Sequence, residues 1–114
     1  MARISTEFRK GVFFVRLVGR NGNESEIKSI IELIEEFGIN NIVINLTKLN
    51  SLSLEMIQRL NEFLKEKSKE KNLFLIYNQN KSRIFEGKFP MIEKEIDVYS
   101  ILREKLHGNT RFFS

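Results

Sequence analysis

The chain of 114 residues contains no cysteine, no tryptophan, one proline and one histidine. Without cysteine there is no disulfide framework, no thiol nucleophile and no cysteine-ligated metal site. A zinc site or a Ser-His-Asp triad also needs histidine, and His107 alone, near the end of the chain, argues against both. We therefore expect no metal site, no cofactor and no enzymatic activity based on histidine.

Long apolar runs are also absent, and no run approaches the roughly 20 residues that a membrane-spanning helix needs. Charged residues at Arg3, Glu7, Arg9 and Lys10 interrupt the N-terminal segment, so it does not read as a signal peptide. We expect a cytoplasmic protein with no membrane span.

Apolar residues make up 41% of the chain and charged residues 30%, which is typical of an ordinary soluble globular protein. The length predicts a single domain over residues 1–114, with a core from about 4 to 106 and a C-terminal tail over 107–114. The net charge is +4, but acids are interleaved with the bases along the predicted helices. This mixed surface predicts no nucleic-acid partner, with the lysine-rich stretch Lys65–Lys71 as the alternative.

The first part of the sequence predicts a hairpin followed by a helix. Residues 4–9 alternate weakly as an edge strand, Lys10-Gly11 follows as a turn, and the apolar run 12–18 is a strong second strand. A loop is expected over 19–23. Asn23 and Glu26 have the spacing of a capping pair, and Gly38 is placed to end the helix. The apolar stripe of that helix consists of Ile27, Ile30, Ile31, Ile34 and Phe37.

The second part predicts a strand over 42–46, a polar turn over Thr47–Ser53, and a helix over 54–71 whose charged end overhangs the sheet. A strand over 73–77, a short helix over 82–88, a strand over 96–99 and a helix from Ser100 to Gly108 follow. The sum is an α/β fold: a mixed sheet of about five strands with an N-terminal hairpin, packed against about four helices.

Chemical motifs are mostly missing. Neither phosphate-loop motif occurs, and Gly19 and Gly22 alone are weak signs of one. The carboxylates of the first helix lie on its predicted solvent side, where no general acid–base pair is indicated. Asn45 is unusual as a polar residue inside an apolar strand, and we expect it to bond the neighbouring loop backbone.

One segment carries a family resemblance. From Ile44 to Leu60 the chain reads I-N-L-T-K-L-N-S-L-S-L-E-M-I-Q-R-L, with leucine or isoleucine at regular places in it. This resembles the pattern L-D-L-S-x-V-x-F-I-D-S-S-G-L-G-x-L of the STAS domain, the SpoIIAA-like fold of bacterial anti-sigma-factor antagonists. Leu17-Val-Gly19 and the stretch from Ile96 to Leu106 resemble two further family segments. The resemblance spans about Ile4 to Leu106.

The residues at the family's functional positions differ in this chain. Asn45 and Ser53 stand where the family has aspartate, and Leu54 stands where it has the serine that a partner kinase phosphorylates. Glu55 replaces the second serine of the pattern, and Met56 and Gln58 replace its two glycines. The resemblance implies a non-enzymatic regulatory domain that binds an anti-sigma factor or a related serine-kinase-like regulator. Because Leu54 has no hydroxyl group, we expect no phosphorylation at the position where the family has its usual serine.

The partner-binding residues implied by the resemblance cluster around the start of the second helix. They are Thr47, Asn50, Ser51, Leu52, Ser53, Leu54, Glu55 and Gln58. Ser53 or Ser51 is the alternative phosphate acceptor, although Ser53 is also explained as a plain helix cap. The competing hypothesis is a nucleotide or other anion bound at the Ser51/Ser53 helix start. The sequence predicts no particular oligomeric state.

Overall fold

The computed structural model describes residues 2–22, 24–77 and 91–111. Within them the chain forms four strands and three helices, against the expected five and four. The strands are β1 (Ala2–Arg9), β2 (Val12–Gly22), β3 (Asn41–Leu52) and β4 (Asn72–Ile76). The helices are α1 (Glu24–Phe37), α2 (Leu54–Lys67) and α3 (Asp97–Arg111).

The described strands form one mixed sheet in the order β1-β2-β3-β4. The first pair is antiparallel and the other two pairs are parallel. The β1–β2 connection is a tight hairpin in which Lys10 and Gly11 both have positive φ, 51° and 81°. That backbone belongs to a primed turn, which suits the twist of the strands it joins. The predicted N-terminal hairpin is confirmed.

The predicted polar turn over Thr47–Ser53 is wrong, and so is the predicted loop over 19–23 in its described part, residues 19–22. β3 continues to Leu52 and pairs with an equally extended β2, as far as Gly22 opposite Leu52. The register shifts by one residue between Asn45 and Lys48, which is a β-bulge. The bulge explains why Leu46 and Leu49, three residues apart, are both buried in the same core cluster.

One face of the sheet is covered by α1 and α2. Each helix directs one apolar side into the core, as the stripe of α1 predicted. Phe37 is the exception in that stripe, because it is 67% exposed. The buried helix residues on this face are Ile27, Ile30, Ile31, Ile34, Met56, Leu60, Phe63 and Leu64.

The predicted end of α1 is correct, and the predicted end of α2 is wrong. Gly38 has a φ of 61°, and the N–H of Ile39 bonds back to the carbonyl of Ile34, as in a Schellman motif. In contrast, α2 ends at Lys67 rather than Lys71. With 14 residues it spans roughly 21 Å, whereas the 12 residues of β3 span roughly 40 Å. The expected overhang beyond the sheet therefore does not occur.

The opposite face is covered by α3 and the segment before it. Val98 and Ile92 are buried there against Phe14, Val43 and Phe74. The predicted strand over 96–99 is wrong, because Asp97 already starts α3. Val98, Ile101 and Leu102 have helical spacing, and all three pack against the cluster on this face. Gly108 does not end the helix, which continues to Arg111.

Some predictions fall outside the described residues. These are the cap at Asn23, the loop and short helix between 78 and 90, and the two C-terminal phenylalanines. Glu26, the other member of the predicted capping pair, is 8% exposed, and its carboxylate accepts a hydrogen bond from the backbone N–H of Ala2 at 2.9 Å.

Candidate functional site

The end of β3 joins the start of α2 through Ser53. Its N–H donates to the carbonyl of Gly22 at 2.8 Å, which ties the junction to β2. Its hydroxyl oxygen accepts a hydrogen bond from the N–H of Met56 at 3.1 Å, while its own backbone is extended. This is N-cap geometry. Ser53 is therefore the helix cap that the sequence predicts, and an anion at this helix start would compete with that cap.

The hydroxyl of Ser51 is directed back onto β2. It donates towards the carbonyl of Arg20 at 3.2 Å and towards Oδ1 of Asn21 at 2.5 Å. Ser51 and its neighbour Asn50 are exposed. Both serines that were considered as phosphate acceptors thus have hydrogen-bond partners within the chain.

Leu54, the first residue of α2, is 65% exposed. Glu55 and Gln58 are exposed beside it, and Gln58 lies one helical turn after Leu54 on the same side of α2. Leu52, by contrast, is half-buried and packs against the core. Of the two leucines among the expected partner-binding residues, Leu54 is the one that presents its side chain to solvent.

Gly22 lies beneath the first turn of α2 and packs closely against Met56 and Leu49. It is buried, and a Cβ atom at this position would lie 2.7 Å from Sδ of Met56 and 2.8 Å from Cδ1 of Leu49. The absence of a side chain allows β2, β3 and the first turn of α2 to approach closely. The weak resemblance of Gly19 and Gly22 to a phosphate turn therefore has a packing explanation at Gly22.

Thr47 lies apart from this corner, in a polar network on the α3 face. Its N–H and hydroxyl both contact Oδ1 of Asn45, at 3.0 and 2.6 Å. The amide of Asn45 donates to Glu95 at 3.0 Å. The expectation that Asn45 bonds nearby backbone is confirmed at Thr47, and its bond to Glu95 adds a long-range contact that the sequence did not suggest.

Arg16 is the centre of that network. It donates to both carboxylate oxygens of Glu95, at 2.7 and 2.6 Å, and to Glu7 at 2.8 Å. This hydrogen bonding lowers the pKa of Glu95 from its ordinary value, against the opposing effect of burial, and raises the pKa of Arg16. The role of Arg16 was not predicted from the sequence. The signal was an arginine inside the apolar run of β2, since such a residue needs a partner.

A groove of about 430 Å³ adjoins Thr47 at the end of β4. Its lining includes the buried Ile76 and Ile92 together with the more exposed Met91 and Lys94. Tyr77 also lines it, and burial raises the pKa of that phenol. Thr47 lines this groove, whereas Ser53 does not.

In residues 2–22, 24–77 and 91–111 there is no group of three or more His, Cys, Asp or Glu side chains that could hold a metal ion. In the same residues, no helix has the length and apolar character to cross a membrane.

The sheet order, the hairpin and the helices on both faces define a STAS-like α/β fold, as expected. Two solved structures share it. An anti-sigma factor antagonist from Mycobacterium paratuberculosis matches with a TM-score of 0.74 and 16% identity, over 90% of this chain and 95% of that one. An uncharacterised protein with a SpoIIAA-like fold from Shewanella loihica matches with a TM-score of 0.58 and 19% identity, over 89% and 93%. No protein-family model and no curated protein matches the chain.

Proposed function

We propose that the chain is a non-enzymatic regulatory domain that binds a protein partner through the exposed residues around Leu54 within the segment 47–58, namely Asn50, Ser51, Glu55 and Gln58. The observation that carries this proposal is Leu54, a large apolar side chain 65% exposed at the start of α2. The similarity in fold to an anti-sigma factor antagonist supports a partner of the anti-sigma factor or serine-kinase-like class.

The surroundings of Leu54 suit a protein interface. An apolar side chain ringed by polar groups is the usual arrangement of an interface anchor. Glu55 and Gln58 supply such groups on α2, and Ser51 and Asn50 supply them at the end of β3. Leu54 would insert into an apolar pocket of the partner, while the polar neighbours form hydrogen bonds around it.

Partner binding in this proposal does not need phosphorylation at position 54. Leucine has no hydroxyl, so the residue at the family's phosphorylated position cannot accept phosphate. Glu55 supplies a permanent negative charge in the first turn of α2, where the helix dipole favours it. The domain would therefore remain in one binding state, rather than switching between two.

The test is affinity capture from the source cells, followed by calorimetric titration of the captured partner with variants. Burying a leucine contributes about 1.5–3 kcal/mol, so Leu54→Ala should weaken binding by roughly ten- to a hundredfold. The matched control is Phe37→Ala, because Phe37 is 67% exposed but is the last residue of α1 and lines a different groove. An unchanged affinity of Leu54→Ala, with the fold intact by circular dichroism, would refute the proposal.

Phosphorylation is tested separately by intact mass measurement of the protein isolated from the same cells. We expect the unmodified mass, and a partner affinity that phosphatase treatment of the isolated protein leaves unchanged. A phosphorylated species whose affinity differs from that of the unmodified protein would contradict the single binding state.

A further inference from the structure

The outer edge of β1 is unpaired among the described residues, because β1 is the first strand of the sheet. The strand is long, eight residues, and most of it is exposed. Long exposed edges are templates for pairing with another strand, and proteins generally blunt them. The pattern of β1 instead favours one particular pairing.

The hairpin defines which residues of β1 offer hydrogen bonds at the free edge. A two-residue turn is closed by a hydrogen-bonded pair, here Arg9 and Val12. Hydrogen-bonded and non-hydrogen-bonded pairs then alternate, so Ile4, Thr6 and Phe8 direct their backbone groups away from β2. The N–H of Ala2 agrees with this alternation, since it bonds to Glu26 and not to β2.

We infer that two copies of this chain pair through β1, antiparallel about a two-fold axis at Ser5, to form one continuous eight-stranded sheet. The alternation allows only registers in which outward-facing residues oppose each other. Centring the pair on Ser5 sets Ile4 opposite Thr6 and Phe8 opposite Ala2. The hydrogen-bonded ladder runs through Ile4 and Thr6 of both copies, because the N–H of Ala2 is already bonded to Glu26.

Charge selects this register over its neighbours. With Ser5 at the centre, Arg3 of each copy lies opposite Glu7 of the other, so the attraction occurs twice. Centring on Thr6 would place Arg3 opposite Arg9, where like charges repel. Centring on Ile4 would shorten the overlap and leave Arg3 opposite Ser5. In β1, Arg3 is exposed, and the side chain of Glu7 is 39% exposed, so both are accessible to a second copy.

The helix side of the same edge is apolar. Phe8 is 64% exposed, and it lines a groove of about 590 Å³ with Phe13, Leu33 and Phe37. Opposite residues of antiparallel strands lie on the same face of a sheet, so the two copies would place their helices on one side. Phe8 would then gain the partner's Ala2 as its cross-strand neighbour and lose part of its exposure.

The first test is sedimentation equilibrium over a range of concentrations. The unmodified protein should be a dimer at high concentration. Arg3→Glu should raise the dissociation constant about tenfold or more, because two attractions become two repulsions. An equimolar mixture of Arg3→Glu and Glu7→Lys should restore dimers, since the heterodimer regains both opposite-charge pairs. If the unmodified protein is monomeric throughout, the inference is wrong.

A second test reads the register directly. In the proposed dimer the two Ser5 Cα atoms form a non-hydrogen-bonded pair about 4.5 Å apart, within the range of a disulfide. The chain has no cysteine, so Ser5→Cys introduces the only thiol. Mild oxidation should cross-link it much faster than the exposed control Ser100→Cys on α3. Equal rates for the two variants would overturn the register.

Discussion

The ion-pair network around Arg16 allows a quantitative prediction about stability. Arg16 and Glu95 lie 79 residues apart in the chain, and their contact joins the sheet to the segment that precedes α3. Their side chains are 31% and 18% exposed, so the pair is neither a surface pair nor a fully buried one. Arg16→Met removes the guanidinium, whose carbon lies 5.8 Å from the centroid of the Phe14 ring, and retains an unbranched apolar side chain.

The expected magnitude lies between two limits. Hydrogen bonds to charged groups contribute about 1.5–3 kcal/mol when shielded from water, whereas exposed ion pairs contribute about 0.2–1 kcal/mol. With two bonds to Glu95 and one to Glu7, we expect Arg16→Met to cost about 2 kcal/mol. This corresponds to a fall in Tm of about 8 °C for a domain near this size.

The assay is urea unfolding at neutral pH of the unmodified protein, Arg16→Met, Glu95→Gln and the double variant. We expect a coupling energy of about 1 kcal/mol or more between the two positions, since either single change removes the ion pair between Arg16 and Glu95. Ser100→Ala, an exposed change on α3, is the control and should leave stability nearly unchanged. A coupling below about 0.3 kcal/mol would be within the error of additivity and would refute the proposed contribution of the pair.

Three further predictions concern single residues. Gly22→Ala should destabilise the fold by about 1–3 kcal/mol in urea unfolding, because its Cβ overlaps Met56 and Leu49; unchanged stability would mean that these side chains move at little cost. Ser53→Ala should lower the free energy of unfolding by about 1 kcal/mol, because the helix cap is lost, whereas Ser53→Asp should keep most of the stability that the cap provides. The lowered pKa of Glu95 stabilises the folded state above the unfolded pKa of about 4.3, and this contribution is lost as pH falls through the folded pKa. Glu95→Gln should therefore flatten the acid side of the stability profile, and an identical profile would contradict this assignment.

Local sequence rules were sufficient where an element is amphipathic and has defined ends. The stripe from Ile27 to Ile34 and the stop at Gly38 predict α1, and Ser53 predicts the start of α2. The hairpin follows from Lys10-Gly11 between the weakly alternating residues 4–9 and the apolar run 12–18. In each case a short-range physical preference agrees with the tertiary packing.

The same rules failed where polar residues are extended and where an apolar pattern is short. Residues 19–22 and 47–52 have turn composition, but each strand satisfies the backbone groups of the other, and this pairing is not a local property. The alternation of Ile96 and Val98 spans too few residues to separate a strand from the start of a helix. Asp97 decides the case, because its carboxylate accepts a hydrogen bond from the N–H of Lys94 just before α3.

The candidate site was predicted in part. Its corner residues lie together at the end of β3, but Thr47 belongs to the network of Asn45 on the other side of the strand. The bulge in β3 causes this separation, since it reverses the alternation between the two faces. A bulge depends on the register with a neighbouring strand, and the sequence of β3 alone does not contain that register.

The two-faced sheet has a consequence for synthesis on the ribosome. The cluster around Phe14, Val43 and Phe74 is completed by residues from Ile92 onwards, and the hydroxyl of Tyr99 closes back on the carbonyl of Arg9 at 2.7 Å. A nascent chain that has already folded its hairpin and first two helices still exposes this apolar face. The protein thus becomes resistant to aggregation only when this last segment packs onto the sheet. Stalled or truncated products, which lack the segment, should bind chaperones strongly.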